Sequence, residues 1–161
     1  MRILAGDELR DCDLSALVER RDFVLAIGEG SLRGVAAAAL LSADFAIMSA
    51  DATLSIDTPQ VWGAAVYRLG QRAFALHLNG TTTFNATAAH EAGLCDAIDD
   101  GRDWLRGRSE LALDSAAALI RSRGGDALER AEFARLFAAG IPQEGLRAFL
   151  GKRRPRFENT V

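Results

Sequence analysis

The residues with chemical reach sit in a few places along the chain. Gly28-Glu29-Gly30-Ser31-Leu32-Arg33-Gly34 separates an apolar run from an alanine-rich one. A glycine-rich turn ahead of a helix lets the backbone approach a ligand. It presents unpaired N–H groups and the positive end of the helix dipole to a phosphate or a developing oxyanion. The bland alternative is a tight strand-to-helix turn that binds nothing. Asp57 and Thr58 stand just ahead of Pro59, where either side chain can cap a helix starting near the proline. His77, between Leu76 and Leu78, reads as a half-buried structural residue. Lys152, Arg153, Arg154 and Arg156 form a basic cluster. It either complements a helix end or holds a phosphate-bearing ligand.

Other chemistries are argued against. The glycine loop is spaced G-x-G-x-x-x-G, and no acidic strand end follows about 20 residues later, so a dinucleotide fold is not expected. A net charge of -3 over 161 residues gives no reason to expect nucleic acid as a partner. Cys12 and Cys95 lie far apart without metal-ligand spacing, which leads to an expectation of no metal, reduced thiols and a cytoplasmic location. The charges at Asp7, Glu8, Arg10 and Asp11 leave no room for an apolar leader, and the apolar run 35–48 is broken by Asp44. That run is too short to cross a bilayer, so no membrane partner is expected.

The elements that must position these residues follow from periodicity and caps. Residues 23–27 read as a buried strand, 35–41 as a small-residue helix, 45–48 as a second strand and 53–56 as a short neighbour. A helix opens at Pro59, and Gly70 divides it from another over 71–79. Asn85 caps a helix over 86–92 that Gly93 ends, and 94–98 is extended. Helices are expected over 103–122, over 126–138 with Gly140 as its stop, and from Pro142 to about 153, where Pro155 ends it. Alternation followed by helices alone implies an α/β layer with a helical C-terminal extension. Residues 1–100 form the α/β core and 101–161 the extension of the same domain.

The order of these motifs resembles the crotonase (enoyl-CoA hydratase/isomerase) superfamily. The run from Val24 to Gly34 and on to Asp44 is similar to its strand, glycine loop, small-residue helix and aspartate. Ile47-Met48-Ser49-Ala50-Asp51-Ala52-Thr53-Leu54 is similar to I-A-S-x-x-A-x-F, and Arg68-Leu69-Gly70 to a compressed R-L-x-x-x-x-G. Glu91-Ala92-Gly93-Leu94 resembles the G-L-V element. The stretch 144–157, with Glu144, Gly145, Ala148, Phe149, Lys152, Arg153, Pro155 and Phe157, looks like E-G-x-x-A-F-x-x-K-R-x-P-x-F. The matches cover about residues 23–157. They identify the chain as a short, divergent member with the α/β, ClpP/crotonase type of fold, N-terminally shortened.

The resemblance implies an acyl-CoA thioester as substrate, with CoA carried by the substrate and no separate cofactor. Two backbone N–H groups would polarise the thioester carbonyl. By position one falls on Val35, beside Gly34 and Ala36. The other falls on Gly6 of Ala5-Gly6-Asp7-Glu8-Leu9, unless Gly6 is only a turn glycine. The two glutamates that add water in hydratases fall on Ala38 and one residue from Asp57. Isomerisation or thioester hydrolysis with Asp57, alone or paired with His77, is therefore what the resemblance implies rather than hydration, unless Asp57 is only the cap of the helix at Pro59. Lys152, Arg153 and Phe157 would meet the CoA nucleotide, and a homotrimer or hexamer is implied. A catalytically silent CoA-ligand binder or assembly subunit is the other reading that the missing glutamate allows.

Overall fold

The computed structural model describes residues 1–98, 107–122 and 125–157. They fall into two compact units, one built from residues 2–20 and from residue 24 through the last strand, the other from residues 21–23 and the C-terminal helices.

In the α/β unit, β1 (Arg2–Ala5), β2 (Val24–Gly28), β4 (Phe45–Met48) and β7 (Ala97–Ile98) make a parallel sheet in the order β1-β2-β4-β7. Every residue of β2 is buried, as a central strand covered on both faces requires. Gly28 pairs with Met48 and Met48 with Ile98, so β2, β4 and β7 end level, while Ala5 pairs with Ile27 and β1 ends one residue short of them. A second, smaller sheet joins β3 (Ser31–Leu32), β5 (Thr53–Ser55) and β6 (Thr83–Asn85) in the order β3-β5-β6.

The helices of this unit are α1 (Asp7–Arg10), α2 (Leu14–Glu19), α3 (Gly34–Ser42), α4 (Pro59–Leu69), α5 (Arg72–Asn79) and α6 (Ala86–Ala92). Residues 36–42 of α3 are all buried, and its alanines let the backbone lie close to its neighbours. Gly28 serves packing: a Cβ there would come within 2.5 Å of Leu32 Cδ1 and 3.2 Å of Leu40 Cδ1. Arg68 explains its motif differently. Its guanidinium donates to the carbonyls of Ala43 at 3.1 Å and Gly93 at 3.3 Å and pairs with Asp96, whose carboxylate accepts the N–H of Ala46 at 2.7 Å.

The second unit holds α7 (Glu110–Arg121), α8 (Asp126–Ala138) and α9 (Ile141–Leu150). Buried Ser115 donates to Glu132 at 2.7 Å and accepts from Arg135 at 2.7 Å, tying α7 to α8. Asp114 accepts the N–H of Phe23 at 2.8 Å, and Arg121 donates to the Asp22 carbonyl at 2.8 Å. Among the described residues no helix is long and apolar enough to cross a membrane.

The strand at 45–48 and the helices at 86–92 and 126–138 lie where expected. The strand at 23–27 is shifted by one residue and the extended stretch at 94–98 narrows to two. The helix expected from 103 begins at Glu110, because the Ser109 hydroxyl accepts the Ala112 N–H and caps it there; residues 103–106 lie outside the described residues. The last helix includes Pro142 in its first turn, where the missing N–H costs nothing, and ends at Leu150 rather than near 153. Elements not anticipated are β1, α1, α2, β3 and β6.

Candidate active site

α3 begins at the carboxyl end of the parallel sheet. Arg33, its N-cap, is extended and offers no side-chain hydrogen bond, so the first-turn N–H groups receive no side-chain cap. Gly34 has φ +51, in the left-handed region that suits glycine. Gly34 and Val35 are both half-buried.

A second helix start lies at the same end. Gly6 follows β1 with φ 55 and ψ -122 and opens α1, again with no side-chain cap. β1 and β2 are adjacent and parallel, and Ala5 stands opposite Ile27. α1 follows β1 directly and α3 follows β2 through the glycine loop and β3, so both uncapped helix starts come after the carboxyl ends of neighbouring parallel strands, the side on which open α/β sheets take ligands. Val35, Gly34 and Gly6 are all at this end of the sheet.

Along α3, Val35, Ala38 and Ser42 share one face by their spacing. Below Val35, Ala38 and Ser42 line an open groove of about 440 Å³ that α2 and α4 complete. Ala38 contributes only a methyl group to it. Asp57 follows β5 and is exposed. It does not cap α4. The Thr58 hydroxyl takes that place, accepting the Val61 N–H at 3.3 Å, which leaves the Asp57 carboxylate out of the cap. The two neighbouring oxygens compete for one N-cap position, and the residue immediately before N1 wins it. His77 is exposed on α5 and packs edge-on against Trp62, with ring centroids 5.1 Å apart. Among the described residues no hydrogen bond joins it to Asp57. His90 is exposed, its ring Nδ1 3.3 Å from the Cys95 carbonyl. Burial pushes the Cys95 thiol up to about 11, so it stays protonated and unreactive.

The C-terminal tail belongs to the helical unit. Glu144 holds Arg153 in a two-pronged pair at 2.7 and 3.1 Å and accepts the Arg156 backbone N–H at 2.7 Å. These contacts, the Arg153 hydrogen bonds first, lower the Glu144 carboxyl to about 2. Arg153 thus has its fork committed within the tail. Lys152 is exposed, with φ 47, and forms no ion pair among the described residues. Phe157 is half-buried and, with Arg147 and Arg156, lines a cavity of about 460 Å³. The sequence reading did not single out Glu144 for this role. Its nine-residue distance from Arg153 spans a helix end and matches no helical period.

No protein-family model and no curated protein matches the chain. Solved structures do. One is an enoyl-CoA hydratase from Polaromonas sp. JS666, 24% identical, with a TM-score of 0.65 over 93% of this chain and 73% of that one. Another is an enoyl-CoA hydratase/isomerase from Marinobacter aquaeolei, 24% identical, TM-score 0.61, over 89% and 64%. A third is described as an enoyl-CoA hydratase/isomerase family member, 22% identical, TM-score 0.71, over 97% and 67%. The chain thus spans roughly two thirds of the length of these structures. At such identities the likeness is one of fold: this chain carries the α/β crotonase fold in shortened form.

Proposed function

We propose that the chain binds an acyl-CoA thioester and polarises its carbonyl with backbone N–H groups at Val35 and Gly6, with Gly34 keeping the approach open. The pair of uncapped helix starts beyond the carboxyl ends of β1 and β2 carries this reading. Donors fixed before the reaction stabilise an enolate or tetrahedral oxyanion without reorganising as charge builds. Valine supplies the N–H as well as glycine would, since only proline lacks that donor.

Asp57 is the carboxylate that immediately precedes the Thr58 cap of α4 and serves as acid/base. With Ala38 on α3, water activation and proton delivery cannot be divided between two carboxylates, so isomerisation or thioester hydrolysis fits better than hydration. The tail residues Lys152, Arg153 and Phe157 meet the CoA nucleotide, Lys152 as the point charge and Arg153 mainly by setting the tail's path. CoA enters with the substrate, and no other cofactor is used. β1 and β7 are the edges of the parallel sheet, and a homotrimer or hexamer covers exposed strand and helix faces. The protein works in the cytoplasm.

A second reading, a silent binder of CoA ligands or an assembly subunit, is favoured by the Ala38 methyl and by the solvent exposure of Asp57. Titration with acetyl-CoA and crotonyl-CoA, followed by turnover assays with Asp57→Ala as control, separates the two. Saturable binding with Asp57-dependent turnover supports the enzyme. Binding without such turnover sinks it in favour of the silent binder, and absence of binding sinks both.

A further inference from the structure

The groove below Val35 has features that its own packing does not explain. Gly63 lies in the interior of α4, where glycine weakens a helix relative to alanine. Glycines in helices commonly let another backbone come close. Here a Cβ would meet nothing within 4 Å, so no neighbour requires the glycine. The absent side chain instead leaves the groove open. Ala38 and Ala64 add only methyl groups beside it, and Leu14 and Val18 supply an apolar wall.

Ser42 supplies a second, independent observation. It is 8% exposed and lines the groove, yet its hydroxyl has no hydrogen-bond partner among the described residues. The oxygen is not sealed off from solvent: it opens onto the groove, where water or a ligand completes its hydrogen bonding. Seven residues separate Ser42 from Val35, which is about 10 Å along the helix axis. The groove, which takes Ala38 and Ser42 from the helix face that also carries Val35, therefore offers a largely apolar channel on the proposed donor's face with the Ser42 hydroxyl in its wall. Glu19, at the end of α2, places a carboxylate on the same groove. It can accept a hydrogen bond from a neutral hydroxyl and repels an anionic tip.

We propose that this groove is the acyl subsite and that it selects a medium-length acyl chain, apolar along its stem and ending in a neutral hydroxyl that meets Ser42 and Glu19. The inference rests on the acyl-thioester reading above and adds to it the class of acyl group. Ala38 then has a positive role, because a longer side chain at that position would fill the head of the groove.

The test is a calorimetric binding series on the full chain with acetyl-CoA, octanoyl-CoA, ω-hydroxyoctanoyl-CoA and an ω-carboxyoctanoyl-CoA. Octanoyl-CoA should bind roughly tenfold or more tighter than acetyl-CoA from apolar burial alone. The ω-hydroxy chain should gain about fivefold over octanoyl, and the ω-carboxy chain should lose affinity. Gly63→Phe should bring the octanoyl-to-acetyl ratio down to about one, and Ser42→Ala should erase the hydroxyl preference. Gly63→Phe fills open space and removes a helix glycine, so its thermal midpoint should not fall. Acetyl-CoA binding with no dependence on chain length, and no effect of Gly63→Phe, overturns the groove assignment and leaves the thioester site standing. No binding of any acyl-CoA overturns the thioester reading and this inference together.

Discussion

Asp44 accepts the backbone N–H of Val24 at 2.7 Å, and the same carboxylate oxygen takes the Arg20 guanidinium at 3.0 Å. The aspartate that marks the motif in sequence therefore works as a pin. It joins the entrance of β4 to the first residue of β2 and keeps the glycine loop between them at a fixed length. The Arg20 and Asp44 side chains are only 8% and 16% exposed.

Asp44→Ala should cost about 3–5 kcal/mol, because it strands a buried guanidinium and an amide together. Asp44→Asn should cost less, since an amide oxygen can still accept from Val24. Urea unfolding of both variants checks this, and equal midpoints for wild type and Asp44→Ala would contradict it.

Gly28→Ala should destabilise by about 1–3 kcal/mol, as overpacking does in a closed core. Leu32 must shift to admit the new Cβ. Pairing the change with Leu32→Ala should recover part of the loss, a coupling that a double-mutant cycle reads directly.

Asp57 and Thr58 are neighbours with separable roles. Thr58→Ala should lower stability by about 1 kcal/mol through loss of the α4 cap. Asp57→Asn should change stability by no more than about 0.5 kcal/mol, as for exposed positions without such contacts. On the proposed mechanism the same change lowers turnover by about 10²–10⁴-fold. Thermal midpoints and single-turnover rates on the two variants give the four numbers needed.

Glu144 sets the acid limit of the ordered tail. Its carboxyl is depressed from 4.5 to about 2. A depressed carboxyl contributes stability that is fully present above the unfolded value and is lost as pH falls through the folded one. The tail should therefore keep its form at neutral and mildly acidic pH and loosen between 4.5 and about 2. The Arg156 amide proton, followed by NMR, should titrate with a midpoint near the lower value, and Glu144→Gln should abolish that titration.

How much could be read in advance depended on how local each signal was. The α6 helix was legible because Asn85 and Gly93, within nine residues, fix both its ends. β1 was not, because Arg2-Ile3-Leu4-Ala5 is too short to show a period and gains its strand character by pairing with β2. β3 is only two residues long and depends on β5 in the same way. At the proposed site, Gly6 and Val35 enter through their place in a motif, and the structure adds that each stands at a helix start without a side-chain cap. The choice between Asp57 and Thr58 as cap could not be made, since both are good caps at adjacent positions. The groove was invisible because its lining is divided among three helices that are separate in sequence.

The composition of α3 bears on how the chain first acquires its shape. This nine-residue helix has no wet face: residues 36–42 are all enclosed. A helix so short does not persist alone in water, and an apolar one gains nothing by forming early without cover. It condenses only when α4, α1, α2 and β2 close over it, so these elements form with it in one cooperative event. Folding rate should accordingly be more sensitive to changes within α3 than to changes in α8, which has no buried residue.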